Sequence, residues 1–375
     1  MDRSANTIPD AVILGGGPAG AAIAIDLARR GRSVTLLEQS ATAHHKVCGE
    51  FLSHEAIAYL DRLGIDLHAL GAVPIHGVRL AGRSPVAACE LPFPALSLTR
   101  RTLDEALLAA AARSGATVLR GRRVDSLQRT ANGCTAHRTG GEMHSAPAAF
   151  LATGKHDLAG YRRRPGRQNN LVAFKMYFRL APAQQSALQG WVELFVFPGG
   201  YAGLQLAEEN QANLCLLVTR ERLLAVGNRW PALFQHLLHS SAPLAERLGG
   251  AEPLLAKPLA LSSIPYGLLV SNAPPDLWRL GDQAAVIPSF SGDGISIALH
   301  SAHRAAGLFT RGASAAEFAQ QLSDELRPSV ARATAISRLL VAAPAFAQAA
   351  RLWPPLLSLL AARTRIPSLH LPCSS

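Results

Sequence analysis

The sequence predicts an α/β fold in two lobes, an open-sheet lobe built on a βαβ unit and an inserted antiparallel β-sheet lobe, with a helical cap at the C-terminus. Three observations carry that expectation. Near the N-terminus an apolar run breaks on a glycine-rich turn, then feeds an Ala-rich helical stretch and a second apolar run. The centre of the chain shifts to apolar segments with β character, and the C-terminal stretch is Ala- and Leu-rich with helical patterning. A length of 375 residues also exceeds one small core, at about 100–200 residues per domain.

Ala11-Val12-Ile13-Leu14 reads as a buried strand ending at Gly15-Gly16-Gly17-Pro18-Ala19-Gly20. Ala21 to Arg30 reads as the helix that follows, with Gly31 where a C-cap glycine belongs. Ser33 to Leu37 is a second buried strand, closing at Glu38. Thr102 to Ser114 reads as a helix and Thr117-Val118-Leu119 as another parallel strand. Val124–Arg129 and Cys134–Arg138 flank Asn132-Gly133, a hairpin signal. Phe150 to Gly154 is a strand running into a glycine turn. β-like runs follow at Leu171–Arg179, Trp191–Phe197 and Leu214–Val218, with turns at Pro198-Gly199-Gly200 and Glu208-Glu209-Asn210. Helices are expected at Pro231–Leu238 and Pro243–Leu248 and a strand at Leu259–Ile264. Leu277–Leu280 returns to the first lobe, and a helix runs from about Gly292 to Phe309. Residues 1–75, 96–165 and 270–330 are thus assigned to the open-sheet lobe, 76–95 and 166–269 to the β-sheet lobe, and 331–375 to the cap.

Residues 339–362 have a membrane-like composition, but Arg351 splits them and Pro344, Pro354 and Pro355 break them. The longest uncharged stretch, Leu339–Ala350, is well short of the roughly 18–20 residues a span needs. A packed helical cap is the favoured reading; peripheral membrane contact or a wall around a greasy substrate are the others.

Hydrophobic residues make up 49% and charged residues 17%, which excludes a disordered majority. The net charge of +11 is dispersed, with short clusters only at Arg120-Gly121-Arg122-Arg123 and Arg162-Arg163-Arg164. Without aromatic–basic interleaving this excludes a nucleic-acid reader and suits an anionic substrate, cofactor or carrier. The five cysteines are scattered, giving neither a disulfide framework nor a zinc pattern. His300 and His303 share a helix face, but no carboxylate motif completes a metal site, so no metal is expected. Residues Met1 to Asp10 do not read as a secretory signal, and a cytoplasmic location is expected.

The chemistry rests first on Gly15-x-Gly17-x-x-Gly20. Gly15 allows the tight turn, Gly17 admits a pyrophosphate to the backbone N–H groups, and Gly20 lets the helix pack on the sheet. The helix N-terminus offers partial positive charge to the phosphates, and Glu38 can accept both ribose hydroxyls. Strand, helix and acid in this order point to a bound dinucleotide.

Leu280-Gly281-Asp282-Gln283-Ala284-Ala285, Pro288 and Ser291-Gly292-Asp293-Gly294-Ile295-Ser296 resemble the GD box and P-x-x-G-x-G segment of a flavoprotein group. That group comprises aromatic-hydroxylase-like monooxygenases, flavin halogenases and geranylgeranyl reductases. The resemblance implies FAD as the cofactor, Asp282 on the ribityl hydroxyls, and the helix after Gly292 and Gly294 aimed at the pyrimidine edge of the flavin. Leu98-Thr99-Arg100-Arg101-Thr102-Leu103-Asp104 is similar to the group's R-x-x-(L/F)-D stretch, which implies Arg100, or Arg101 in the other register, near the pyrophosphate. Ala19, Val124 and Ile295 complete the expected cofactor-binding set. Lys46 to Ser53 resembles the C-G-(E/D/G)-x-L-S loop of geranylgeranyl-reductase-like members, which implies that it passes beside the isoalloxazine. Three departures stand out. Ala152-Thr153-Gly154-Lys155-His156-Asp157 lacks the usual Asp-Gly, and the halogenase W-x-W-x-I-P element is missing. Phe195 to Gly203 replaces the Y-x-W-x-F-P signature of geranylgeranyl reductases.

Two side chains are candidates for catalysis. Cys48 can donate a proton or tune the ring, or simply fill space in a cofactor loop. Tyr266 can face the substrate or pack. The resemblance implies an FAD-dependent oxidoreductase in the form of a discontinuous Rossmann-like lobe. Its leading reading is a monooxygenase of an apolar aromatic or polyketide-like small molecule, free or carrier-bound, working through a flavin hydroperoxide. The alternative is a reductase or dehydrogenase moving hydride between flavin N5 and a C=C bond of a hydrophobic substrate. A non-catalytic flavin-binding protein is the third. No second full glycine motif marks a nicotinamide domain, so NADPH or NADH must bind transiently, or a partner reductase supply electrons.

Overall fold

The computed structural model describes residues 8–130, 133–138, 141–342 and 355–367. In chain order, β1 (Ala11–Leu14) turns through the glycines into α1 (Pro18–Ala28) and β2 (Val34–Glu38). The short β3 (Phe51–Leu52), α2 (His54–Arg62) and the paired β4 (Val73–Ala81) and β5 (Pro85–Ser97) come next. Then follow α3 (Arg100–Arg113), β6 (Thr117–Arg120), β7 (Ser126–Thr130), β8 (Gly133–His137), β9 (Met143–Ala146) and β10 (Ala148–Leu151). The central stretch holds β11 (Leu171–Arg179), α4 (Pro182–Leu188), β12 (Trp191–Phe197), β13 (Gly200–Leu206) and β14 (Ala212–Thr219). After these come α5 (Arg220–Ala225), α6 (Trp230–Ser240), α7 (Ala242–Arg247), β15 (Glu252–Pro253), β16 (Leu259–Ser262) and β17 (Leu268–Leu269). The chain closes with β18 (Leu277–Arg279), β19 (Ala285–Val286), α8 (Gly294–Thr310), α9 (Ala315–Ala342) and α10 (Pro355–Arg363).

The first sheet is parallel throughout, in the order β18-β10-β1-β2-β6. Its strands are covered on both faces, which is why β1 and β10 read as continuous apolar runs with no polar alternation. Helices α1 and α8 pack here, and Leu107, Leu108 and Ala111 of α3 join the same core. The second sheet runs β15-β11-β14-β13-β12-β4-β5-β3, with β16 also on β11. It is antiparallel except at one seam, where β4 lies parallel to β12 with Gly77 opposite Trp191. These two strands come from distant segments of the chain, so no hairpin dictates their direction. The glycine is needed there: a Cβ at position 77 would stand 2.4 Å from the Trp191 ring.

Several elements differ from the sequence expectation. Ser126–Thr130 pairs with Gly133–His137 as a hairpin whose expected turn residue Asn132 lies outside the described residues, and Val124 lies before it in a loop. A third strand, β9, extends that hairpin. Strand β13 begins within the expected Gly199-Gly200 turn, and α2, α4, β4 and β5 carry no strong local signal. Of the uncharged stretch Leu339–Ala350, residues 343–350 lie outside the described residues. Among the described residues no helix is long and apolar enough to cross a membrane.

Candidate active site

The β1–α1 turn is shaped for a phosphate group. A Cβ at Gly20 would lie 1.8 Å from the Gly15 carbonyl oxygen, so only glycine lets the helix start this close to the strand. The N-cap, Gly17, carries no side-chain cap, which leaves the first N–H groups of α1 uncommitted to the chain's own side chains. Arg100 stands beside it, its Nη2 3.3 Å from where a Gly17 Cβ would be. Asp104 holds Arg100 in place through two hydrogen bonds of 2.7 and 2.9 Å and also pairs with Lys46 at 2.9 Å. At the end of β2, Glu38 accepts from the N–H of Gly16 at 2.7 Å and of Ser40 at 2.8 Å. Gly16, Glu38, His44, Lys46, Arg101 and Arg120 line a narrow polar cleft beyond the turn. An open helix N-terminus, a buried arginine and a carboxylate at the strand end fit the two ends of an adenine dinucleotide. Arg100 is the one nearer the turn; Arg101 lines the cleft.

A second group of expected residues meets the turn from the C-terminal half. Ala19 packs where a Gly281 Cβ would come within 3.3 Å, which brings Asp282 to the same region. The Asp282 carboxylate faces Lys155 at 4.0 Å, and its backbone carbonyl accepts from Arg163. Gly292 has φ of +75°, and a side chain there would strike the Phe51 ring at 2.5 Å. Gly294 opens α8 with nothing within 4 Å of a Cβ, and Ile295 is buried beneath it. Val124 stands apart, packed at the edge of a different cluster with Leu119 and Tyr161.

Between this region and the second sheet lies an apolar cavity of ≈ 160 Å³. Gly49, Phe51 and Ser289 to Gly292 bound it on the first-lobe side; Leu80, Val192, Leu194, Tyr201, Gly203 and Gln205 form the sheet side. The C-terminal segment closes it with Ala361, Thr364 and Arg365. Arg365 lies over the Phe93 ring at 5.0 Å, bonds the Ser291 carbonyl, and pairs with the fully buried Asp293 at 2.8 Å. Burial still pushes the Asp293 carboxyl up to about 8, against the pull of Arg365. Burial likewise pushes the Tyr201 phenol and the Cys215 thiol up to about 12 each.

The loop at Cys48–Glu50 is clamped from the second sheet. Glu50 and Lys175 form an ion pair of 2.6 Å with both side chains at 0% exposure. Glu50 also accepts from the Arg100 N–H, the Tyr177 hydroxyl and the Asn213 amide, and Asn213 bonds the Cys48 and Gly49 carbonyls as well. Burial pushes the Glu50 carboxyl up, opposed by Lys175 and these donors. The Cys48 sulfur accepts from the Glu50 N–H at 3.3 Å and touches Arg100, so it is engaged within the loop, while Gly49 faces the cavity. Tyr266 is 3% exposed and stands behind Ser289; Tyr201 is the tyrosine that lines the cavity. Sequence reasoning missed Lys175, Tyr177, Asn213, Tyr201 and Gly203. A lone lysine amid the apolar run Leu171–Arg179 was the available signal for the clamp. His300 bonds Tyr59 and Glu325, and His303 faces Asp26, so each has its own partners.

Residues 9–150 match the family model described as FAD binding domain. Menaquinone reductase of Mycolicibacterium smegmatis is 28% identical over 367 residues, covering 92% of this chain and 87% of that protein. Among solved structures, flavin-dependent brominase Bmp2 superposes with a TM-score of 0.76 at 17% identity, covering 96% of this chain and 93% of that one. PqsL, a probable FAD-dependent monooxygenase from Pseudomonas aeruginosa, gives 0.72 at 19% identity, covering 92% and 100%. These likenesses and the dinucleotide cradle agree with the motifs of the sequence. The chain carries an FAD binding domain over residues 9–150 and is an FAD-dependent oxidoreductase, similar in fold to flavin-dependent brominases and monooxygenases.

Proposed function

We propose that the protein saturates a carbon–carbon double bond in an extended apolar small molecule of isoprenoid character. The observation that carries this is the apolar cavity placed directly against Gly49, Phe51 and the Ser289–Gly292 loop. A likeness to menaquinone reductase along 92% of the chain supports the reductive direction over oxygen insertion. FAD, when bound, supplies the two-electron chemistry, recharged by NADPH, NADH or a partner reductase.

The chain's own part is binding, orientation and exclusion of water. Arg100, Glu38 and the α1 N-terminus would hold the dinucleotide, with Asp282 and the start of α8 toward its flavin end. Leu80, Val192, Leu194 and Phe93 keep the substrate's surroundings dry. Reducing an alkene also requires a proton at the second carbon. The lining hydroxyls of Ser291 and Thr364 are groups through which that proton can pass.

A second reading, oxygenation of the same kind of molecule, is favoured by one feature: among the described residues the cavity lining holds no Asp, Glu, His or Lys. Oxygen transfer needs little side-chain acid–base chemistry. The two readings separate when holoenzyme is reduced anaerobically and mixed with a menaquinone carrying an unsaturated tail. Reoxidation of the flavin without oxygen, with a product heavier by two hydrogens, is the expected result. No anaerobic turnover, with stoichiometric O2 uptake and a product heavier by one oxygen, would overturn the reductase in favour of the oxygenase.

A further inference from the structure

On the sheet side of the cavity the polar side chains are Tyr201 and Gln205, which flank Gly203 on one face of β13 about 13 Å apart at the usual rise of a strand. At the Tyr201 end its hydroxyl lies 3.3 Å from the Ser289 Oγ. Tyr266 is buried in the same cluster as Tyr201, and Ser337 donates to the Gln168 Oε1 at 2.8 Å. A serine hydroxyl has two lone pairs and one O–H. With the Tyr201 phenol donating into Ser289, the serine's own proton can turn to an acceptor in the cavity. Burial keeps the Tyr201 phenol protonated, pushed up to about 12.

We propose that Tyr201 and Ser289 form a head-group site that binds a carbonyl oxygen of the substrate, a quinone or ketone joined to an apolar tail. The tail then runs along Gly203 toward Leu194, Leu80 and Phe93. Distance from this anchor selects which double bond lies against Gly49. This deepens the proposed reduction of an apolar substrate and rests on it. It adds that the substrate is bifunctional and is gripped by its oxygen.

The test is a binding titration of oxidised holoenzyme, read from the flavin absorbance difference spectrum and so independent of turnover. The probes are a polyprenyl quinone and the hydrocarbon with the same tail. Wild type should bind the quinone about tenfold more tightly than the hydrocarbon, roughly the scale of one or two net hydrogen bonds. Tyr201→Phe and Ser289→Ala should each remove most of that preference while leaving hydrocarbon affinity unchanged. Ser289→Ala also serves if Tyr201→Phe fails to retain FAD, because Ser289 is open to the cavity. Equal binding of the two probes by wild type, or an unchanged preference in both variants, overturns the head-group site and leaves the reductase reading standing. Absence of any flavin response to either probe overturns the reading itself, and the site with it.

Discussion

Gly203 leaves a gap in the middle of the β13 wall where its neighbours two residues away place Tyr201 and Gln205. Its backbone is ordinary extended strand, and a Cβ there would meet Leu194 Cδ2 at 3.6 Å and the Cys215 carbonyl at 3.9 Å, both comfortable contacts. A larger side chain is therefore admitted by the fold, and its remaining atoms must enter the cavity. Gly203→Leu is expected to keep its FAD content and lose none of its melting temperature, since replacing a strand glycine removes an entropic cost. Its affinity for an apolar substrate should fall at least about tenfold, the equivalent of about 1.4 kcal/mol. Unaltered affinity would mean that the substrate does not lie along β13. At the same scale the Cys48 sulfur accepts from the Glu50 N–H within its loop, and Tyr266 is buried in the cluster beside the cavity.

Strand β11 brings Lys175 and Tyr177 from the second sheet to Glu50, which sits in the cofactor loop with φ of +62°. A fully buried ion pair is costly to desolvate, and removing one partner typically costs about 3–5 kcal/mol because the other is stranded. Glu50→Gln leaves the buried Lys175 charge facing a neutral amide in place of a carboxylate. Lys175→Met leaves Glu50 with donors from Arg100, Tyr177 and Asn213. Thermal melts of the four holoproteins should then rank wild type first and Glu50→Gln last, with the double variant more stable than Glu50→Gln alone. Simple additivity of the two losses would remove the clamp from the account. This clamp also marks where sequence reading stopped. The β1–α1–β2 unit was legible because apolar period, glycine spacing and the closing acid lie within a single local stretch. The Gly292–Gly294 segment was legible because its motif is compact. Strands β4, β5 and β13 were not, since their partners are distant and β13 starts in a Gly-Gly pair that reads as a turn. The same holds for the site: the cofactor-binding glycines are local in the chain, whereas Tyr201, Ser289, Lys175 and Glu50 meet only through tertiary pairing.

Over the whole molecule, the loops of the first lobe close on the second sheet around the apolar cavity, and that junction contains a titratable group. His45, in the loop after β2, stacks near Tyr177 of β11 at 4.6 Å between ring centroids, with Nδ1 3.1 Å from the hydroxyl. Burial first, and then the charges of Lys175, Arg101 and His44, lower its pKa to about 4; Glu208 pulls the other way. In the unfolded chain a histidine titrates near 6.5, so between about pH 6.5 and 4 the unfolded state binds the extra proton. The contribution of a neutral His45 is therefore complete above about pH 6.5 and is lost as pH falls toward 4. The melting temperature of the holoprotein should drop across that window, and the drop should be shallower in His45→Phe, which keeps a ring against Tyr177 but cannot take up a proton. The difference between the two profiles is the informative quantity, because carboxylates elsewhere titrate in both proteins alike. Parallel profiles would show that His45 is already solvated and carries no share in holding the two lobes together. A converging pair, with wild type ahead at neutral pH and level near pH 4, would place the acid-sensitive joint of the enzyme beside the Glu50–Lys175 clamp that sets the cofactor loop.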